Sequence, residues 1–296
     1  MLNAIRNFCF VLSNNLFRVR NRFLRILFRL PLFSVNAKKS DSQSTFYEKS
    51  VSGILSSDKK FKKFRRIYNY REILEHVDYK LGQKYLERAV EISGESCLTS
   101  FPNALRNNFG RPWVYRYSKI GKVSPTSLRY FSVTQELRAR FGDPKSAVIV
   151  EVGAGYGGQY LALSKAWNIS EYTIYDLPEV QNLISKYLSM NGSRGSISYR
   201  TINQIQPKSR VDLVISNYAF SELPEELQSE YLEKVILKAD RGYFIMNSGR
   251  TNHSGRSSGK ISLNQLNNLG LEISVSEEQP LTGPDNYVIS WGPRFE

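Results

Sequence analysis

At 296 residues, with 41% apolar and 12% aromatic side chains, the chain can bury one large core, which excludes a disordered protein. Its two cysteines, Cys9 and Cys97, give neither a disulfide framework nor a metal-binding spacing and suit a reducing compartment. The formal charge of +14 is uneven: residues 1–130 hold 25 Lys/Arg against 9 Asp/Glu, a net of +16, while residues 131–296 hold 16 against 18, a net of −2.

Residues 1–36 contain six arginines and no acid. Their apolar residues recur in alternating steps of three and four, from Leu2 and Ile5 to Leu30 and Phe33, as one stripe on a helix. No run approaches the roughly 18–20 apolar residues needed to span a bilayer, and "FCFVL" is too short for a signal-peptide core. Three readings stay open: a basic helix lying on an anionic membrane surface, a helix packed on protein, or an Arg-rich transit peptide.

Residues 37–58 are Ser-rich and read as a linker. The helical region 59–142 follows, on the substrate side. It opens with one or two basic helices to about Ile92 and continues through a loop ending in "RYSKIGKVS". Ser124-Pro125 starts the helix "PTSLRYFSVTQELRARF", which Gly142 ends. The domain 143–296 has a different pattern. "AVIVEVG", "EYTIYDLP", "SISYRTI", "VDLVISN" and "GYFIMN" read as buried strands alternating with helices, and "LEISVSE" and "NYVISWG" as a closing hairpin. That order predicts an α/β fold: a Rossmann-like, seven-stranded, mainly parallel sheet with an antiparallel edge, the class I methyltransferase layout, preceded by a helical region.

The stretch "IVEVGAGYGG" fits two templates. Gly153, Gly155 and Gly158 spell the G-x-G-x-x-G of a dinucleotide site. Glu151, Gly153, Gly155 and Gly157 spell E-x-G-x-G-x-G, the first motif of S-adenosyl-L-methionine (SAM)-dependent methyltransferases. Glycines at a strand-to-helix turn let a ligand approach the backbone and suit both cofactors. Glu151 separates them: a carboxylate repels a pyrophosphate and suits the ammonium and sulfonium of SAM. Asp176, ending the second strand, can hold ribose hydroxyls of either cofactor, or else serve as a loop residue at the following helix. The Tyr-x-x-x-Lys pair of a short-chain dehydrogenase occurs only at Tyr115 and Lys119, ahead of the motif. SAM is the expected cofactor, with no metal.

Four segments, "VIVEVGAGYGGQYLALS", "YTIYDLPEVQNLISKYL", "DLVISNYAFSELPEELQSEYLEKVI" and "EEQPLTGPDNYVISWG", together resemble the bacterial sugar O-methyltransferases associated with surface-polysaccharide assembly. The likeness covers roughly residues 105–296. It implies that Glu151, Gly153, Gly155 and Gly157 shape the methionine end of the cofactor site, that Asp176 holds the ribose, and that Asn203 lies near the adenine. Asn217 would sit beside the transferred methyl, and Arg129 would reach the cofactor carboxylate or an anionic acceptor, unless it is a solvated helix residue.

"SNYA" after the fourth strand, without a Pro-Pro-aromatic run, favours oxygen over nitrogen as the nucleophile. A sugar hydroxyl then needs a general base. His253, in the Gly/Ser-rich loop after the fifth strand, and Glu222, in "SNYAFSEL", are the candidates, with Tyr218 beside Asn217 contributing proximity. The expectation is a cytoplasmic SAM-dependent O-methyltransferase acting on a sugar or glycan, held at the inner face of a membrane through residues 1–36. The alternatives are an RNA methyltransferase gripping phosphates with the basic half, or a catalytically silent SAM-fold protein binding a membrane or partner. The positive charge sits on helices and a tail without a recognisable RNA module, which argues against nucleic acid.

Overall fold

The computed structural model describes residues 45–193, 195–204, 210–247, 266 and 270–296. Residues 1–36, and His253 with the loop around it, lie outside the described residues. No described helix is long and apolar enough to cross a membrane.

The chain from the N-terminal side forms α1 (Thr45–Leu55), α2 (Asp58–Phe61), α3 (Tyr68–Leu74), α4 (Tyr79–Ser93) and α5 (Asn103–Arg106), then a small hairpin, β1 (Tyr115–Tyr117) with β2 (Gly121–Val123). Two local expectations fail here. The Ser-rich linker predicted over 37–58 contains α1, because Tyr47, Val51 and Ile54 share one helical face and are buried. The segment predicted as loop before Ser124 pairs β1 with β2.

α6 (Pro125–Phe141) starts with Pro at its first position and ends at Gly142, at φ +80°. Thirteen of its seventeen residues are buried, so it is an internal helix rather than an amphipathic surface one. α4 packs along one side of it and α7 (Gly158–Ala166) along another.

The sheet consists of β3 (Ala147–Val152), β4 (Ile169–Tyr175), β5 (Ile197–Arg200), β6 (Leu213–Asn217), β7 (Gly242–Met246), β8 (Ser274–Glu277) and β9 (Tyr287–Trp291). Its order is β5-β4-β3-β6-β7-β9-β8; the first five in this order are parallel, and β9 pairs antiparallel with both β7 and β8. This is the Rossmann-like class I methyltransferase sheet that the strand pattern predicts. In β3, Ala147 and Ile149 enter one core with α1, α6, α7 and α8 (Pro178–Met190), while Val150 and Val152 enter the other, on the side of α9 (Ala219–Glu222) and α10 (Glu225–Lys234). A strand buried on both faces has to be apolar almost throughout. The helical region and the sheet share the first of these cores.

Candidate active-site crevice

From β3 the chain runs outward through β4 to β5, and from β6 it runs the opposite way to β7. The strand order therefore reverses between β3 and β6. Ligands of open α/β sheets bind outside the carboxyl ends of the strands at such a point. Glu151 and the glycine turn stand at the end of β3, Asp176 just past β4, Asn217 and Tyr218 at the end of β6, and Asn247 just past β7.

The glycine turn is shaped by the protein itself. Gly153 has φ +75°, and a Cβ there would lie 2.1 Å from the Cβ of Ala219 at the start of α9. Gly155 has φ +63° and faces Leu74 of α3, 3.1 Å from where its Cβ would be. Both positions favour glycine for left-handed backbone and for close approach of neighbouring elements. Gly157 precedes α7 as its N-cap residue.

Asp176 ties this turn to β4. Its Oδ2 accepts from the Ala154 amide at 3.0 Å and its Oδ1 from the Leu177 amide at 2.8 Å. Burial raises its pKa to about 6 against the backbone donors that lower it. The Gly155 amide also bears on it. An ionised carboxylate has about four lone-pair sites, so with three backbone donors acceptor capacity remains for one further hydroxyl. Glu151 lies deeper, at 1% exposure, with Tyr172 Oη donating to its Oε2 at 2.7 Å. Desolvation lifts its pKa to about 8.

Arg129 is not a solvated helix residue. It is 5% exposed on α6, its guanidinium 5.3 Å from the ring centre of Tyr130 and 5.7 Å from that of Tyr218. Its Nε has no hydrogen-bond partner, and among the described residues no carboxylate pairs with it. Asn217 donates from Nδ2 to Gln159 at 3.2 Å, and its buried Oδ1 also has no partner. Two orphaned polar atoms, one a donor and one an acceptor, thus flank Tyr218. Buried polar groups are satisfied in the great majority of cases, and these two stand at the crevice, where a polar ligand could satisfy both.

Tyr218 adopts φ +72°, a strained conformation for a bulky residue. Its hydroxyl donates to Glu278 Oε1, and Tyr85 Oη of α4 lies 3.4 Å away. Glu278 is buried and also accepts from the Thr282 amide at 3.0 Å and from Thr282 Oγ1. The network continues through Asn286 Nδ2, which donates to Thr282 Oγ1 and Asn247 Oδ1, to Asn247 Nδ2, which donates to Glu222 at 3.0 Å. Burial holds the Tyr218 hydroxyl well above its ordinary pKa.

Tyr218, Asn217, Arg129, Asp176, Glu151 and Glu222 therefore converge on one end of the sheet. Asn203 is exposed on a short turn of helix after β5. Glu278 and Tyr85, central to the network, are absent from the sequence expectations, although Glu278 lies within the quoted segment "EEQPLTGPDNYVISWG". Among the described residues, no three His, Cys, Asp or Glu side chains are grouped as metal ligands would be.

No protein-family model and no curated protein sequence matches this chain. Solved structures do align with it. Magnesium protoporphyrin IX methyltransferase from Synechocystis PCC 6803, determined with bound SAM, is 14% identical over 55% of this chain and 77% of that one, with a TM-score of 0.41. Precorrin 8w decarboxylase from Methanobacterium thermoautotrophicum is 17% identical over 54% of this chain and 89% of that one, at 0.38. An rRNA methylase from Streptococcus thermophilus is 10% identical over 51% and 89%, at 0.37. These likenesses are distant, and the choice of cofactor and acceptor rests on this chain's own residues.

Proposed function

We propose that the protein is a SAM-dependent O-methyltransferase whose acceptor is a sugar hydroxyl in surface-glycan assembly. The observation that carries the cofactor is the buried Arg129, without a carboxylate partner, over the ring of Tyr218, the residue that follows Asn217 with its unpartnered Oδ1. An amino-acid zwitterion satisfies both atoms at once: its carboxylate accepts from the guanidinium and its ammonium donates to Asn217. A dinucleotide offers no such pair, and its pyrophosphate would face the carboxylate of Asp176. Asp176 accepts from a ribose hydroxyl with the acceptor capacity its backbone donors leave.

When bound, SAM supplies an electrophilic methyl group on a positively charged sulfur. The chain supplies the rest. Asn217 and Arg129 orient the methionine end, and Glu151, neutral near pH 7 in the free protein, ionises when the cationic end binds and then adds negative potential beneath the turn. Tyr218 Oη takes the proton of the acceptor hydroxyl while its own proton passes to Glu278 Oε1, so the buried carboxylate is the final proton holder. General-base assistance of this kind is typically worth about 10²–10⁴-fold in rate.

The oxygen acceptor is supported by the lack of a Pro-Pro-aromatic run after β6, and the sugar by the resemblance of residues 105–296. Transfer of labelled methyl from SAM into a glycan fraction is the direct test, with Asp176→Ala as control. Label appearing in RNA instead would replace the sugar by a nucleic acid, and no label in either would favour a silent SAM-fold protein. Residues 1–36 are assigned here to an anionic membrane surface at the cytoplasmic face. That assignment predicts flotation with anionic liposomes that a chain beginning at Ser40 loses.

A further inference from the structure

Two stretches of the chain carry positive charge with no acid among them. Residues 59–71 hold seven Lys/Arg and no Asp/Glu, and residues 96–135 hold six and none. The fold lays the two side by side. The Arg65 amide donates to the Gly110 carbonyl at 3.1 Å, Arg66 Nη2 donates to the Pro112 carbonyl at 3.5 Å, and the Arg66 guanidinium lies 4.7 Å from the centre of the Trp113 ring. Asn108 Nδ2 donates to the Lys122 carbonyl at 3.3 Å, which brings the β1–β2 hairpin to the same side. Lys62, Lys63, Arg66, Arg111, Arg116 and Lys122 are all exposed, and among the described residues no carboxylate pairs with any of them.

Soluble surfaces ordinarily intersperse charges of both signs. Here Arg116 and Lys122 even stand directly opposite one another in the hairpin register, an arrangement that destabilises a strand pair. The face is complementary to an anionic partner, and the side chains around it distinguish which. Met190, the last residue of α8, is 56% exposed, and its neighbour Asn191 accepts at Oδ1 from Asn107 Nδ2 at 3.4 Å, beside Asn108. Tyr68, two residues after Arg66, is 40% exposed. Phe61 and Phe64, set among the lysines, are buried. Single-stranded RNA is gripped by stacking its bases on exposed rings, and the rings between these lysines face the core. A lipid surface needs clustered cations together with apolar side chains that can enter between the headgroups, and both are present.

We infer that this basic face is a docking surface for anionic lipid headgroups, and that it seats the folded domain on a bilayer alongside residues 1–36. This rests on the membrane assignment above and not on the cofactor. Arg65, next to the exposed Arg66, is buried, pairs with Glu75, and lies 4.6 Å from the centre of the Tyr156 ring. Tyr156 stands between Gly155 and Gly157. The face is therefore joined to the glycine turn through the core, and docking by it fixes how the crevice is oriented to the bilayer.

Binding of the full chain to phosphatidylcholine vesicles, with and without one third phosphatidylglycerol, tests this. The face variant carries Lys62→Gln, Lys63→Gln, Arg116→Gln and Lys122→Gln. A control with the same net charge carries Lys145→Gln, Lys165→Gln, Lys234→Gln and Lys238→Gln elsewhere on the surface, and a third protein carries Met190→Ser. Every substituted side chain is exposed, and thermal unfolding checks that each variant folds. Each cation lost from the face should weaken partitioning into the anionic vesicles about fivefold, so the face variant should lose about a hundredfold or more. The control should stay within about fivefold of wild type, because charges beyond a Debye length of the surface are screened. Met190→Ser should lose several-fold, as an apolar contact with the interface goes. Equal losses in the face variant and the control make net charge the cause and overturn the face. A face variant that binds like wild type leaves the anchoring to residues 1–36 and overturns it too. Met190→Ser that binds like wild type overturns lipid as the partner, as does a single-stranded RNA oligonucleotide bound more tightly than the vesicles and lost in the face variant. Wild type that ignores phosphatidylglycerol overturns both the face and the membrane assignment of residues 1–36, and leaves the cofactor reading standing.

Discussion

The guanidinium of Arg129 lies 5.7 Å from the centre of the Tyr218 ring, one residue beyond Asn217, and no described carboxylate balances it. A buried cation of this kind costs stability unless it is paired. Arg129→Met should therefore raise the melting temperature of the ligand-free protein while weakening SAM by about 1.5–3 kcal/mol, the scale of a hydrogen bond to a charged group. Thermal unfolding and calorimetry on one preparation check both signs. A residue there only for packing would lose stability and leave binding unchanged.

Glu151 gives a pH dependence with a definite sign. Desolvation raises its carboxyl from 4.5 to about 8 in the folded chain, so the stability linked to its neutral form is complete below about pH 4.5 and lost as pH rises through 8. The wild type should lose stability relative to Glu151→Gln across that interval, by at most about 1.4 kcal/mol per pH unit. Chemical denaturation of both proteins at pH 5 and pH 8 measures the difference. Binding of a cationic ligand beside Glu151 favours its ionised form, so calorimetry in buffers of different ionisation enthalpy should report proton release near pH 7.

The Tyr218–Glu278 pair separates chemistry from binding. Tyr218→Phe and Glu278→Gln should each lower kcat by about 10²–10⁴-fold with the acceptor while SAM affinity stays near wild type. Glu278→Gln still accepts the phenolic hydrogen bond but cannot hold the transferred proton. Equal losses in the two single variants and in the double variant are expected of residues acting as a unit. Glu222→Gln should cost far less, because Glu222 stands at the far end of the network, bonded to Asn247.

The glycine turn allows a rescue experiment. Gly153→Ala places a Cβ 2.1 Å from that of Ala219 on backbone at φ +75°, and should destabilise the fold by about 2 kcal/mol or more. Adding Ala219→Gly removes the clash and should recover part of that loss. The remainder measures the left-handed backbone. Denaturation of the four proteins of the cycle gives the coupling directly.

The sheet was legible because strands buried on both faces must be written as short apolar runs, and "AVIVEV" and "LVISN" show this plainly. The crevice ends of β3, β4 and β6 were legible too, since Glu151, Asp176 and Asn217 each close such a run. α1 was hidden by its serines, although the spacing of Tyr47, Val51 and Ile54 carries a helical face. β1 and β2 are three residues each, too short for periodicity to appear. Glu278 could not be placed because its partner Tyr218 lies 60 residues earlier. The antiparallel return of β9 between β7 and β8 brings the two together, and no local pattern encodes that register.

The proposed function puts the zwitterionic end of SAM in the crevice between β3 and β6. Calorimetric titration of the full chain with SAM and with NAD tests it most directly, using wild type, Arg129→Met and Asp176→Ala. Wild type should bind SAM and not NAD, and each substitution should weaken SAM by about 1–3 kcal/mol, as expected for lost charged hydrogen bonds. Binding of NAD without SAM, or SAM affinity untouched by both substitutions, would contradict it.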